Sequence, residues 1–234
     1  MIDTLLNCDC MEFMKTMADK SVDMTLTDIP YDAVNKAVGD YDYGLTIKGI
    51  CKLNKGKADE ITFDLYAFLE EVDRITKGTI TIFCGIEQMS KIFEFYKAKG
   101  YPTRQLVWEK INPMPLNGKY MYLSALENAV WVKKKDGVFN AFCQSNVFHF
   151  GLGVGMNGIH PTEKNHDLLR KLIVENTNCD QLVFDPCAGS ASTLLIAGQE
   201  GRHYLGCELC KEFYDKALNR LKTQGGVQSK LFDI

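Results

Sequence analysis

Several familiar sequence signatures are missing from this chain, and each absence closes off a class of protein. Met1-Ile2-Asp3 opens it without the basic segment and apolar stretch of a secretory leader. No apolar run approaches the roughly 18 residues that a membrane span requires. There is no internal repeat, no interdomain linker and no Cys/His pairing at zinc-ribbon spacing. Nine cysteines are present, but they are scattered mostly along apolar runs, which points to a reduced, cytoplasmic protein. Cys8 with Cys10, and Cys207 with Cys210, read as small buried hydrophobes rather than metal half-sites, so no metal is expected. A large charge imbalance is also lacking. The formal net charge of −3 argues against a protein that coats nucleic acid, though not against one that grips it locally. Nor is there a dinucleotide loop. Gly151-Leu152-Gly153-Val154-Gly155 follows no strong strand and opens no helix, since Pro161 comes shortly after, so it reads as a flexible loop.

What remains fits one α/β domain over residues 1–234, with 46% hydrophobic residues to build its core. Strand-like and helix-like segments alternate. Strands are predicted at 4–8, 22–27, 79–84, 105–108, 129–132, 181–184 and 204–207. Helices are predicted at 11–17, 63–75, 88–98, 167–175, 193–199 and 212–221, with Gly78 stopping the second of them. Residues 32–60, rich in glycine and lysine, read as a mobile loop, and 136–160 as irregular chain.

Two stretches about 155 residues apart each sit where a buried strand hands over to a loop: Asp28-Ile29-Pro30-Tyr31, and Asp185-Pro186-Cys187-Ala188-Gly189-Ser190-Ala191-Ser192. A parallel sheet gathers such strand ends on one edge, where they can face one crevice. The first resembles the Asp-Pro-Pro-Tyr motif of DNA adenine methyltransferases, with Ile29 in place of the first proline. The second resembles the cofactor strand and loop of the same family, with Ala191 in place of a glycine. His160-Pro161-Thr162-Glu163-Lys164 resembles the family's His-Pro-Thr-x-Lys segment, Asn7-Cys8-Asp9-Cys10 its opening Gly-Asp-Cys, and Trp108-Glu109-Lys110 with Glu127-Asn128-Ala129-Val130-Trp131 its paired late strands. The order, catalytic segment first, is that of the β group of S-adenosylmethionine-dependent DNA amino-methyltransferases.

The resemblance implies a Rossmann-like fold: a mostly parallel twisted sheet with one antiparallel strand and helices on both faces. It implies S-adenosylmethionine as cofactor and double-stranded DNA as substrate. Methylating an exocyclic amino group requires acceptors for its hydrogens, because its lone pair is otherwise delocalised into the ring. The Asp28 carboxylate and the Ile29 carbonyl match those acceptors, Tyr31 offers a stacking surface to a flipped base, and Pro30 stiffens the turn. Ile29 leaves the carbonyl in place but loosens φ. Asp185, Pro186, Cys187, Ala188, Gly189, Ser190 and Ala191 form the cofactor loop. The acid after the next strand, Glu208, with Leu209 beside it, is placed to hold the ribose hydroxyls, the alternative being a helix-start acid favoured by the macrodipole. Asp9 and Cys10 lie by the adenine ring, and His160, Thr162 and Lys164 at the methionine end.

Lys48, Lys52, Lys55 and Lys57, with Lys133 and Lys134, form two basic clusters able to contact DNA phosphates; the alternative is a solvated surface. Residues from about 133 to 159 form a short target-recognition segment. So short a segment leaves little surface to embrace a duplex, which suggests a homodimer, as does the β-group resemblance. Two other functions stay open: methylation of cytosine at N4, whose enzymes usually carry Ser where this chain has Asp28, and a cofactor-binding relative that regulates a partner.

Overall fold

The computed structural model describes residues 2–31, 63–113, 122–152 and 163–224. The chain runs β1 (Thr4–Leu6), α1 (Cys10–Thr16), β2 (Val22–Asp28), α2 (Leu65–Ile75), β3 (Thr76–Cys84), α3 (Ile86–Ala98) and β4 (Thr103–Lys110). It continues through β5 (Leu126–Lys133), β6 (Val147–Phe150), α4 (His166–Asn176), β7 (Leu182–Asp185), α5 (Ser192–Gln199), β8 (His203–Cys207) and α6 (Lys211–Gln224). The strands form one sheet in the order β1-β8-β7-β2-β3-β5-β4-β6. Among the described strands only β5 runs against its neighbours, pairing antiparallel with both β3 and β4. The single antiparallel strand expected from the family resemblance is therefore present.

Both faces of the sheet are buried, and the strands are apolar on both sides as a parallel sheet demands. Met24 and Leu26 of β2 point into one core with Leu168, Leu172, Leu194, Leu195 and Leu221 of α4, α5 and α6. Ile80 and Ile82 of β3 point into the other with Met14, Phe68, Val72, Ile92 and Tyr96 of α1, α2 and α3. Helix starts follow side-chain capping: Asp9, Asp64 and Asn165 accept hydrogen bonds from the first turns of α1, α2 and α4.

Two expectations need correction. Gly78 does not stop a helix; α2 ends at Ile75 and passes directly into β3, with Gly78 inside the strand. A Cβ at Gly78 would lie 2.1 Å from the Asp23 carbonyl oxygen, so glycine is needed there for close backbone approach where the β2–β3 register slips. The 136–160 stretch is not wholly irregular either. Val147–Phe150 adds an eighth strand, parallel to β4, whose four residues were too few to show a period.

The position of the site follows from this topology. From β2 the chain continues to β3 on one side, and from β7 to β8 on the other, while β2 and β7 are hydrogen-bonded neighbours. The sheet order reverses at that pair, so a crevice opens at the carboxyl ends of β2 and β7, where Asp28 and Asp185 stand.

Candidate active site

The turn after β2 is held from both sides. The Ile29 N–H donates to the Phe83 carbonyl at 3.2 Å, extending the β2–β3 ladder by one residue, and the Ile29 side chain is buried in the core. A proline has no N–H to give. Ile29 therefore does not loosen the turn as the sequence suggested; a hydrogen bond and a buried side chain do the work of the missing ring. Pro30 is held by Gln88, whose Nε2 donates to the Pro30 carbonyl at 2.9 Å while its Oε1 accepts the Gly85 N–H at 2.9 Å. Gln88 is fully buried in the first turn of α3. Its role was not read from the sequence, although a Gln three residues after Gly85 is the spacing of a capping box.

A chain of alternating charges meets at Asp28. The Lys164 ammonium lies 2.5 Å from Asp28 Oδ2 and 2.7 Å from Glu127 Oε2, and Glu127 Oε1 lies 2.8 Å from the Lys110 ammonium. Burial pushes the Asp28 carboxyl up, Lys164 opposes the push and Glu127 adds to it. Burial also disfavours the Lys164 ammonium, but Asp28 and then Tyr31 and Glu127 outweigh it and hold it protonated. Glu127, despite its burial, is held below the usual carboxylate range by Lys164 and Lys110. Asp28 Oδ1 and the Tyr31 hydroxyl are buried and make no hydrogen bond of proper geometry, although they lie close enough for the carboxylate to help burial push the phenol up. Two buried polar groups beside the Lys164 ion pair thus keep hydrogen-bonding capacity unused.

Across the crevice, the β7–α5 loop and the end of β8 are tied together. The Ala188 N–H donates to the Cys207 carbonyl at 2.8 Å, and the Gly189 N–H to Glu208 Oε2 at 2.8 Å. The other Glu208 oxygen, Oε1, accepts the Cys210 N–H at 2.7 Å. Glu208 stands before α6, which begins at Lys211, and its carboxylate reaches the β7–α5 loop. Burial pushes its carboxyl up, partly offset by those two N–H groups. Each oxygen keeps a further lone pair for an incoming hydroxyl. Burial also pushes Asp185 up to about 6, with Thr27, Thr193 and the Cys187 N–H opposing. Pro186 turns the chain away from β7, and Gly189 follows with φ of 51°. Ala191 takes φ 58° and ψ 28°, the left-handed conformation that a glycine adopts freely, and caps α5 with no side-chain hydrogen bond. The first N–H groups of α5 therefore receive no side-chain cap from Ala191.

The remaining candidates divide. Asp9 Oδ1 accepts the Met11 and Glu12 N–H groups at 2.7 and 3.3 Å, at the end of β1 beside Glu208. Cys10 is buried with its thiol against Cys187. Ser190 Oγ lies 2.9 Å from Ser192 Oγ. Leu209 is 55% exposed at the rim. Lys164 is not at the β7–α5 loop but at Asp28. Lys133 and Lys134 are not brought to the crevice at all. Because β5 is antiparallel, its last residue lies at the edge where β3 begins, opposite Thr79. There the Lys134 ammonium is held 2.8 Å from Asp73 Oδ1 and 2.6 Å from the Asp73 carbonyl. His160, Thr162, Lys48, Lys52, Lys55 and Lys57 lie outside the described residues.

Beneath the loop, Glu163 Oε1 is met by His166 Nε2 at 2.8 Å, Ser192 Oγ at 2.9 Å and Arg220 Nη2 at 2.5 Å. Despite partial burial, His166, Arg220 and Ser192 hold its carboxyl down at about 2. Glu163 and Arg220 escaped the sequence reading because nothing in their spacing joins residues so far apart. Among the described residues no group of three or more His, Cys, Asp or Glu could hold a metal ion. A cavity of about 460 Å³ lined by Leu106, Trp131, Phe139 and Phe148 contains none of these candidates.

Known proteins are similar to this chain in sequence and in fold. The chain is 26% identical to the type II methyltransferase M.HinfI of Haemophilus influenzae over 246 aligned positions, covering 94% of this chain and 68% of that protein. It is 24% identical to M2.DpnII of Streptococcus pneumoniae, covering 94% and 90%. The crystal structure of an M1.HpyAVI–SAM complex superposes with a TM-score of 0.69 at 26% identity, covering 93% of this chain and 98% of that one. The cytosine-N4-specific PvuII DNA methyltransferase shares the fold at a TM-score of 0.69 and 16% identity, covering 93% and 85%. A family model described as DNA methylase matches residues 22–219. With most of its length matched, from β2 through the Asp28 turn and the β7–α5 loop into α6, the chain belongs to the DNA methylase family.

Proposed function

We propose that this protein methylates N6 of adenine in double-stranded DNA, using S-adenosylmethionine, on a base flipped into the crevice between β2 and β7. The observation that carries the reading is Asp28: a carboxylate at the end of β2 with Oδ2 paired to Lys164 and Oδ1 without a hydrogen-bond partner, in a turn pinned by Phe83 and Gln88. The opposite wall fits the cofactor. Glu208 keeps lone pairs for the ribose hydroxyls, and the uncapped N-terminus of α5 suits the methionine carboxylate. S-adenosylmethionine supplies an electrophilic methyl group when bound.

The protein's own part is to prepare the nitrogen. Asp28 Oδ1 and the Ile29 carbonyl accept its two hydrogens, drawing the lone pair out of conjugation with the ring. Tyr31 stacks on the base, which replaces part of the stacking lost on flipping. After transfer the nitrogen is cationic, and Asp28 is the base beside it. Hydrogen bonds to Asp28 strengthen as positive charge grows there, so they act on the transition state more than on the ground state.

Asp28 favours adenine over cytosine N4, where a serine usually stands at this position. Incubation with labelled S-adenosylmethionine and mixed DNA, followed by nucleoside analysis, tests the reading. N6-methyladenine is expected. N4-methylcytosine would overturn the base assignment, and cofactor binding without any product would favour a regulatory relative. The protein works as a homodimer whose two-fold interface extends the DNA-facing side, with at least ~1,000 Å² buried if the dimer is stable. A monomer in sedimentation, with and without DNA, would refute that.

A further inference from the structure

Lys164 stands on the wrong side of the crevice for the role that its motif suggested. The loop tied to Glu208 lies on the β7–β8 side. The Lys164 ammonium lies on the β3–β5 side, 5.2 Å from the Phe83 ring centre and 5.8 Å from that of Tyr31, with two carboxylates in contact. Its side chain is 8% exposed. It stands where a counter-ion for Asp28 belongs, not where a cofactor carboxylate would be met.

We propose that Lys164 and Glu127 are positioning residues that clamp Asp28, keeping Oδ2 occupied and the carboxylate ionised so that Oδ1, which has no hydrogen-bond partner, is left for the incoming amino group. This rests on Asp28 being the catalytic carboxylate. The geometry gives each member one task. Lys164 donates to Asp28 Oδ2 and lies in ion-pair contact with Glu127, which fixes the ammonium between β2 and β5. Glu127 is itself fixed by Lys110 of β4, so the clamp is anchored on three strands and the segment leading into α4. Lys110, Glu127, Lys164 and Asp28 carry two positive and two negative charges, and a balanced buried set is tolerated where a lone ion is not.

The clamp also sets how good a base Asp28 is. Methyl transfer makes the N–C bond, breaks the S–C bond and leaves the sulfonium as a neutral thioether. The extra proton on nitrogen then passes to Asp28 Oδ1, which must begin ionised to receive it. Five groups face Asp28: Tyr31 from its own turn, Cys84 from the end of β3, Glu127 from β5, Lys164 from before α4 and Asp185 from β7. Lys164 is the cation among them, so it sustains ionisation in a buried site. Glu127 shares that cation and keeps the carboxylate from becoming too weak an acceptor.

The test is the pH dependence of single-turnover methylation, whose acid limb reports protonation of Asp28. Removing the cation in Lys164→Gln should move that limb to higher pH by about one unit or more, while Lys164→Arg should keep it near the parent. Glu127→Gln removes a neighbouring negative charge and should move the limb to lower pH. The double variant Lys164→Gln/Glu127→Gln restores charge balance around Asp28 and should return it toward the parent. Affinity for S-adenosylmethionine should stay within about threefold in all of them. Limbs that do not move, or variants that act only through cofactor affinity, would overturn the clamp and return Lys164 to the cofactor. Loss of folding in a single variant that the double variant does not repair would overturn it as well. Asp28→Ala separates the two levels. If it turns over, the catalytic reading falls; if it is inactive while the limbs stay fixed, only the clamp falls.

Discussion

Replacing Asp28 by alanine is the sharpest perturbation, because the structure separates its catalytic and structural costs. Catalytically, the variant loses the acceptor at Oδ1, an interaction that strengthens as the nitrogen becomes cationic. Loss of one such preorganised group raises a barrier by roughly 3 kcal/mol or more, which is about a hundredfold in rate. Structurally, it leaves the Lys164 ammonium with one carboxylate, Glu127, which Lys110 also holds. Breaking a buried pair by removing one partner costs about 3–5 kcal/mol of stability. Glu208 and the Gly189 loop, proposed to hold the cofactor, follow β8 and β7 and lose no contact. Asp28→Ala should therefore unfold at lower denaturant, bind S-adenosylmethionine within about threefold of the parent, and methylate DNA at least about a hundredfold more slowly in a single turnover. Single-turnover transfer of labelled methyl, calorimetric titration and denaturant unfolding measure the three quantities separately. Turnover within tenfold of the parent, or a rate loss wholly accounted for by cofactor affinity, would refute the reasoning.

Gln88→Ala leaves the Gly85 N–H and the Pro30 carbonyl buried without partners, at roughly 1–3 kcal/mol each; kcat should fall with cofactor affinity unchanged, and an unchanged kcat would show that the turn holds its shape without it. Glu208→Ala removes charge-assisted hydrogen bonds to the ribose and should weaken S-adenosylmethionine binding by about tenfold or more, read by calorimetry. Gly78→Ala drives a Cβ to within 2.1 Å of the Asp23 carbonyl, a clash of backbone with backbone that no side-chain rotation relieves, and should cost several kcal/mol in denaturant unfolding. Replacing two of Lys48, Lys52, Lys55 and Lys57 should reduce the slope of log affinity for DNA against log salt by about one to two without changing the base modified; an unchanged slope would return them to the solvated surface.

The sequence by itself determined the alternation of strands and helices, the α/β class, and the pairing of two distant strand ends across one crevice. Those are local matters. A run such as Met24-Thr25-Leu26-Thr27 declares a strand through β-branched and apolar residues, and Asp28 and Asp185 declare its end through the Pro turn that follows. Short or non-local features escaped. Four residues of β6 carry no period, and Gly78 looked like a helix stop because its real constraint, the Asp23 carbonyl, lies on another strand. Ile29 seemed a weakness until the Phe83 carbonyl stood opposite its N–H. Which lysine serves which acid was likewise decided only by tertiary structure. Lys134 and Lys164 are equally basic in the sequence, but the reversed direction of β5 sends one to Asp73 at the far edge, while the chain leading into α4 brings the other to Asp28. Local propensity acts through neighbours in the chain. An ion pair between residues 28 and 164 exists only because the fold brings the segment leading into α4 to the end of β2, and burial in that crevice gives the pair its strength.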